Sequence, residues 1–401
     1  METCFSLSFT DVVDFEMRGG HHPDPEMDAI ERQVAEATFQ RVTSDPSWGE
    51  LSFKTAYNFM HLNTFYGSSN PQIINLLNRL QPYPCYVEME VAQWICPLKC
   101  IMCEIQYSEQ PKIHLSFEDF KYAMDQFPDL KWAGNNALGD PFTNPDYLKM
   151  VKYLDDKEVA QEIYMTSVLL KPEDMKRFTE YQSFILTKFS LDGATKETYE
   201  KIRPGADFDK IIANIKALDN YKRQAGKFFP KIEFHFIIMQ QNIHEAEQFI
   251  DFIDSLDIRC TGIMFSRLLH NFPEVKDVYI DVPEELGKRL IEKGKQRGIP
   301  VWFNGDAQAC KAPAYNCTQW SMPYIFPDGT VIPCCNPNEA NCRDLQRELS
   351  MGNIFETPMR EIWEGEKYKA LRKTIPEGNP ENYMPVCKQL CAIYDNKVKK
   401  K

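Results

Sequence analysis

The chain has 401 residues, 43% apolar and 26% charged, with a formal charge of −12. That size exceeds one ordinary hydrophobic core and predicts two or three domains. The acidic balance argues against nucleic acid or an anionic membrane surface as partner and points to a small molecule or a peptide.

The first residues, "METCFSLSFTDVVDFE", carry no positive n-region and no long apolar run. No stretch nears the roughly 20 apolar residues of a membrane helix. The expected address is therefore the cytoplasm, where disulfides are rare. Thirteen cysteines in such a chain point to metal or redox chemistry. They are bunched: Cys96, Cys100 and Cys103 form one group, and Cys310, Cys317, Cys334, Cys335, Cys342, Cys387 and Cys391 another. Cys4, Cys85 and Cys260 stand apart and read as core-packing residues.

In chain order, residues 1–84 are expected to be mainly helical, a cap or a cover on the substrate side. "DPEMDAIERQVAEATFQRV" opens on Asp-Pro and keeps helical apolar spacing, and "NPQIINLLNRL" does the same. Residues 85–300 change pattern. "CYVEMEVAQW", "LKWAGN", "EIYMTSV", "FILTKFSLDG", "IEFHFIIMQ" and "CTGIMFSRL" are six expected strands. Between them "SFEDFKYAMDQF", "PDYLKMVKYLDD", "KPEDMKRFTEYQ", "DFDKIIANIKALDNYKRQ" and "HEAEQFIDFIDSL" read as helices. This alternation predicts an α/β fold with a parallel sheet. Periodicity alone does not separate an open barrel from a flat doubly wound sheet. Residues 301–401 form a small cysteine-rich region, with a hairpin signal at "PYIFPDGTVIP" and one helix expected from Pro358 to Ile375.

The chemistry sits in "CPLKCIMC", a C-x3-C-x2-C run after the first expected strand. Strand ends of parallel sheets are where such folds place active sites. Three thiolates hold three irons of a 4Fe–4S cluster and leave one iron open, as a catalytic metal centre requires. Zinc on three cysteines with a distant fourth ligand is the alternative that the residues leave open.

This run on a βα repeat resembles the radical S-adenosylmethionine (SAM) superfamily. The resemblance implies a partial (β/α)6 TIM-like barrel over 85–300. It also implies SAM chelated by the open iron of a 4Fe–4S cluster on Cys96, Cys100 and Cys103. One electron then cleaves SAM to methionine and a 5′-deoxyadenosyl radical, which removes a hydrogen atom from an unreactive C–H bond. A reducing partner such as flavodoxin or ferredoxin is implied with it. Further positions match the family's SAM contacts. "AGNNALGDPFTNPD" stands where a Gly-Gly-Glu motif receives the SAM ammonium, with Asp140 in place of Glu. "FSLDGATKETYEKIRPG" offers Ser190 for the ribose or carboxylate and Arg203 for the carboxylate, which a guanidinium fork meets with two parallel bonds. Thr166, Ser167, Gln240 and Asn242 are further pocket candidates, with Gly262 and Ile263 toward the adenine.

The C-terminal region resembles the SPASM extension of this superfamily. Cys317, Gly329 and Cys334 follow C-x11-G-x4-C, and "GNIFETPMREIWEGEKYKALR" and "CKQLC" come after them. The resemblance implies at least one auxiliary 4Fe–4S cluster on Cys317, Cys334, Cys387 and Cys391. Its closing pair is spaced x3 where x2 is usual. Cys310, Cys335 and Cys342 have no assigned role. Relatives of this architecture modify peptides by oxidation, epimerisation or cross-linking, or dehydrogenate small molecules such as amino sugars. A peptidyl substrate is the expectation and a small molecule the alternative. A non-catalytic iron–sulfur carrier or zinc-binding protein is the reading from another class.

Overall fold

The computed structural model describes residues 25–66, 83–135, 138–268, 273–304, 319–333, 343–348 and 350–377. Its centre is a sheet of seven parallel strands in chain order: β1 (Tyr86–Met89), β2 (Trp132–Gly134), β3 (Ala160–Met165), β4 (Phe184–Ser190), β5 (Lys231–Ile238), β6 (Cys260–Arg267) and β7 (Val301–Asn304). All six expected strand segments are present. β7, which the sequence reading lacks, extends the sheet beyond residue 300 and pairs with β6 from Ile263↔Val301 to Ser266↔Asn304.

The expected hairpin also forms. β8 (Tyr324–Ile325) runs antiparallel to β9 (Thr330–Ile332), and Gly329 turns between them at φ +86°. β10 (Gly352–Asn353) adds to β9. β8 also pairs parallel to β1, Glu88↔Tyr324 and Met89↔Ile325, so the cysteine-rich region is joined to the barrel by a ladder. Behind that joint lies a fully buried pair, Arg343 Nη2 to Glu90 Oε1 at 2.8 Å, with Tyr324 donating to the same oxygen at 3.0 Å.

Helices cross between the strands: α3 (Phe117–Asp125), α4 (Tyr147–Asp156), α5 (Lys196–Ile202), α6 (Phe208–Gln224), α7 (Ala246–Ser255) and α8 (Glu284–Arg297). Three of them, α3, α5 and α6, carry side-chain caps: Ser116 accepts from Asp119 N, Thr195 from Thr198 N and Asp207 from Lys210 N. The α8 helix is an addition to the expected set. "KPEDMKRFTEYQ" is a 3-10 turn over Pro172–Thr179 rather than an α-helix. The helix expected from Pro358 to Ile375 is two helices, Met359–Trp363 and Glu366–Glu377. The break falls at Gly365, whose N–H returns to Ile362 O at 3.1 Å and ends the first helix.

The strands alternate between two environments. On β5, Ile232, Phe234, Phe236 and Ile238 are fully buried, and Phe249 packs its ring against Phe234 and Phe236. Lys231, Glu233, His235 and Ile237 face the other way and are only half-buried. A filled TIM barrel presents branched apolar residues inward. Here the inward row is polar and partly accessible, so the sheet encloses a lumen.

The N-terminal helix α1 (Pro25–Ser44) matches an expected segment, α2 (Phe53–Tyr66) is one the sequence reading does not name, and "NPQIINLLNRL" lies outside the described residues. They do not cover the cysteine end. Val42, Trp48, Leu51, Ala56 and Phe59 pack on Ala160, Ile185 and Phe229, which lie at the N-terminal ends of β3, β4 and β5. Glu50 adds carboxylate bonds to Phe228 N (2.6 Å) and Phe229 N (3.1 Å). No described helix is long and apolar enough to cross a membrane.

Lys222 on α6 is fully buried, and its Nζ has no hydrogen-bond partner. Burial, aided by Arg259, pulls its pKa down to about 7. The unfolded chain then binds the proton more tightly than the folded one between about pH 7 and 10.5. Stability is expected to rise with pH across that window. Lys222→Met should flatten the rise and raise neutral-pH stability by about 2–4 kcal/mol. Urea unfolding at pH 7 and pH 9 measures both effects.

Candidate active site

Cys96, Cys100 and Cys103 lie in the loop that follows β1. Two main-chain bonds zip this loop to the turn after α5: Lys99 N to Pro204 O at 2.9 Å and Ile101 N to Ile202 O at 3.0 Å. Gly205, at φ +96°, lets that turn approach; a Cβ there would stand 3.1 Å from Pro97 O. Asn144 holds the far end of β1 by donating to Val91 O at 2.7 Å and to Leu115 O at 2.8 Å. The three thiols share an apolar pocket with Leu98, Met102, Ile202, Met239 and Leu268.

Burial pushes the Cys96 thiol up to about 12 and that of Cys103 up to about 11, and raises Cys100 as well. The three charges would also repel one another. Such a set ionises only when a strongly cationic group binds and displaces the protons.

Asp140 stands beside this loop. Its N–H donates to Ile95 O at 2.8 Å, its Oδ1 accepts from Phe142 N at 2.9 Å, and its Oδ2 accepts from Thr166 Oγ1 at 2.8 Å. Burial raises its pKa, opposed by those two donors, and its charge is felt at Cys96. The approach depends on Gly139: a Cβ there would lie 2.8 Å from Ile95 O and 2.9 Å from Ala92 O, both main-chain atoms that cannot swing aside. Gly139→Ala is expected to displace the cysteine loop and to cost about 1–3 kcal/mol. Urea unfolding of the iron-free chain and iron content after reconstitution should both fall.

Ser190 closes β4, in register with His235 on β5. β3 and β4 pair at Met165↔Phe189, which sets Thr166 next to Ser190. Arg203 follows α5 and is 7% exposed. Its guanidinium is engaged by Asp192, with Nε 2.7 Å and Nη2 2.6 Å from Oδ2, while Nη1 lies 3.7 Å from Cys100 Sγ. Burial works against the Arg203 charge, but the Asp192 carboxylate outweighs it and holds the group firmly protonated. The fork expected to meet a SAM carboxylate is thus half-committed to Asp192. Asp192 is itself fixed by Ile237 N, which donates at 2.7 Å. It lies at the end of "FILTKFSLDG", which the sequence reading takes as a strand, with no role given to Asp192.

Asp140, Thr166, Ser190 and the Asp192–Arg203 pair therefore gather at the C-terminal ends of successive strands, around the cysteine loop. Other candidates fall away from it. Asn242 is a structural clamp, donating to Asp192 O and Ile237 O and accepting from Met239 N. Gln240 is exposed. Ser167 holds α6 through Asn214 Nδ2, which donates to its carbonyl at 3.0 Å. Gly262 and Ile263 lie in the N-terminal half of β6, where the Trp302 ring fills the space over Gly262. Cys85 is buried, as expected for a core residue. Cys4, Cys310, Cys317, Cys334, Cys335, Cys342, Cys387 and Cys391 lie outside the described residues.

Among the described residues, no group of three or more His, Cys, Asp or Glu side chains is disposed to hold a single metal ion. A cubane places each thiolate on a different iron, so its ligands stand further apart than those converging on one ion. Three thiols from one loop, Cys100 buried and Cys96 and Cys103 half-buried, with the Arg203 guanidinium beside Cys100, suit such a cubane in donor type and charge.

Comparison with known proteins is consistent with this geometry. Residues 93–253 match the radical SAM superfamily, and residues 317–392 match SPASM, an iron–sulfur cluster-binding domain. A tungsten-containing aldehyde ferredoxin oxidoreductase cofactor-modifying protein of Pyrococcus furiosus is 24% identical over 332 residues, covering 77% of this chain and 88% of that protein. The antilisterial bacteriocin subtilosin biosynthesis protein AlbA of Bacillus subtilis is 22% identical over 322 residues, covering 73% and 65%. Among solved structures, Streptococcus suis SuiB bound to the precursor peptide SuiA superposes with a TM-score of 0.59 at 14% identity, covering 75% of this chain and 71% of that one. At that identity the match speaks for a shared fold, a partial barrel.

Proposed function

The chain belongs to the radical SAM superfamily and carries a SPASM domain, and from this premise we propose that it removes a hydrogen atom from an unactivated C–H bond of a peptidyl substrate. It is an enzyme that uses a 4Fe–4S cluster, SAM and an auxiliary iron–sulfur cluster. When bound, these groups supply the electron and the 5′-deoxyadenosyl radical that abstracts hydrogen. The observation that carries the reading is the meeting of three thiols of one loop with Asp140 and the Asp192–Arg203 pair at one end of the barrel.

The chain's own residues divide the work. Cys96, Cys100 and Cys103 would hold the cluster, beside the apolar side chains of Leu98, Met102 and Ile202. Asp140, fixed by Thr166 and the Phe142 N–H, presents a carboxylate to the SAM ammonium. Ser190 offers a hydroxyl at the next strand end. Arg203, held by Asp192, keeps Nη1 for the cysteine loop and the SAM carboxylate. This anchoring restricts the approach of reacting atoms, which is where such a site gains rate. The barrel core runs from about residue 85 through β7 at Asn304 and the auxiliary-cluster region follows it, with Cys317, Cys334, Cys387 and Cys391 as its ligands. A flavodoxin or ferredoxin supplies the electron.

The peptidyl substrate is supported by the relatives that AlbA and SuiB represent. The cofactor-modifying relative keeps a small molecule as the second reading. Deuterated cell extract, divided by size into peptides and small metabolites, separates the two. The reduced holoenzyme with SAM should place deuterium in 5′-deoxyadenosine when given the peptide fraction. Deuterium from the metabolite fraction alone would replace the peptidyl reading with the small-molecule one.

A further inference from the structure

The N-terminal mouth of the barrel, opposite the cysteine loop, holds a cavity of about 630 Å³ between the inward strand faces and the helices α1 and α2. That volume suits a small organic ligand. Its walls include the rings of Trp48, Phe59, Trp132 and Trp302 together with charged groups of both signs.

The carboxylates of the wall all have donors. Glu233 faces Lys188 at 3.5 Å, Glu162 accepts from Tyr86 at 3.2 Å, and Asp45 accepts from Ser47 N at 3.0 Å and Ser47 Oγ at 2.7 Å. The cations are less well served. Lys231 is half-buried with its ammonium 5.2 Å from the centre of the Trp48 ring, and no described carboxylate lies within salt-bridge distance of it. Arg41, at the rim, likewise has no ion pair among the described residues and adds like-charge repulsion to Lys231. The indole N–H of Trp132 is buried without an acceptor. Burial lowers the Lys231 pKa against the pull of Glu233 and Asp45. Two cations of this wall, Lys231 and Arg41, thus have no carboxylate within pairing distance among the described residues.

We infer that this cavity is a binding site for an organic carboxylate with a flat apolar body, its acid group on Lys231 and Arg41 and its body among the tryptophan and phenylalanine rings. A charge-assisted bond supplies the selectivity for the acid, and the ring walls supply burial. The site uses neither iron nor SAM, so it stands or falls separately from the radical reaction.

Calorimetric titration of the anaerobically purified full chain with phenylacetate and indole-3-acetate, against their neutral amides, tests it. The acids should bind about tenfold or more tightly than the amides. Lys231→Met should reduce acid binding to the level of the amide, while Lys231→Arg keeps the preference. Arg41→Gln, at an exposed position and harmless to folding, should weaken the acid and leave the amide unchanged. Equal binding of acid and amide, no heat from either acid at millimolar concentration, or an acid preference untouched by both Lys231→Met and Arg41→Gln would overturn the assignment.

Discussion

Replacing Cys96, Cys100 and Cys103 together by alanine is expected to abolish 5′-deoxyadenosine formation and to lower the iron content by about four atoms per chain without emptying it. The three thiols are the thiolate donors this pocket offers among the described residues, so removing them takes away the ligands for a cubane after β1. The chain should still fold. The barrel is built on strands and helices whose buried faces lie elsewhere, and the loop keeps its main-chain bonds to Ile202 and Pro204. The remaining iron belongs to the SPASM region. Iron content by mass spectrometry and nucleoside by chromatography read the two effects separately. Loss of all iron would argue against an independent auxiliary cluster, and full nucleoside yield would remove these cysteines from the reaction.

The Asp192–Arg203 pair should show the second largest effect. Asp192 is fully buried and Arg203 nearly so. Arg203→Met would leave a buried carboxylate without its counter-charge, at a cost of about 3–5 kcal/mol. It would also remove the guanidinium that lies beside Cys100. Asp192→Asn should cost stability through the opposite imbalance, because its amide oxygen still accepts from Ile237 N while its NH2 group would face the Arg203 guanidinium. The double variant Asp192→Leu/Arg203→Met replaces the pair with apolar groups and should recover much of the stability. It should not recover SAM cleavage. Urea unfolding with a nucleoside assay distinguishes a structural pair, which the double variant would rescue in both readouts, from one that serves SAM.

Much of this was legible in the sequence because it is local. The six strand segments alternate or run apolar between clear breaks, and "DGT" marks the hairpin. Cysteine spacing located the thiol loop. What was not legible depends on contacts far along the chain. The pairing of β8 with β1 joins residues more than two hundred positions apart, so no local pattern signals it. Helical periodicity marks α1 as a helix with a buried face but not which end of the barrel it and α2 close. Asn242 looked like a polar strand-end residue of a binding pocket, yet three main-chain partners occupy its amide. At Gly365 the apolar rhythm continues past a glycine that ends the helix, and the rhythm was followed instead of the glycine.

The account rests on an iron that the protein leaves for SAM to chelate. Electron paramagnetic resonance of the dithionite-reduced holoenzyme, recorded with and without SAM, addresses it most directly. A change in the spectrum on adding SAM, absent from the Cys96→Ala/Cys100→Ala/Cys103→Ala protein, is the predicted result. A wild-type spectrum that is the same with and without SAM would contradict it.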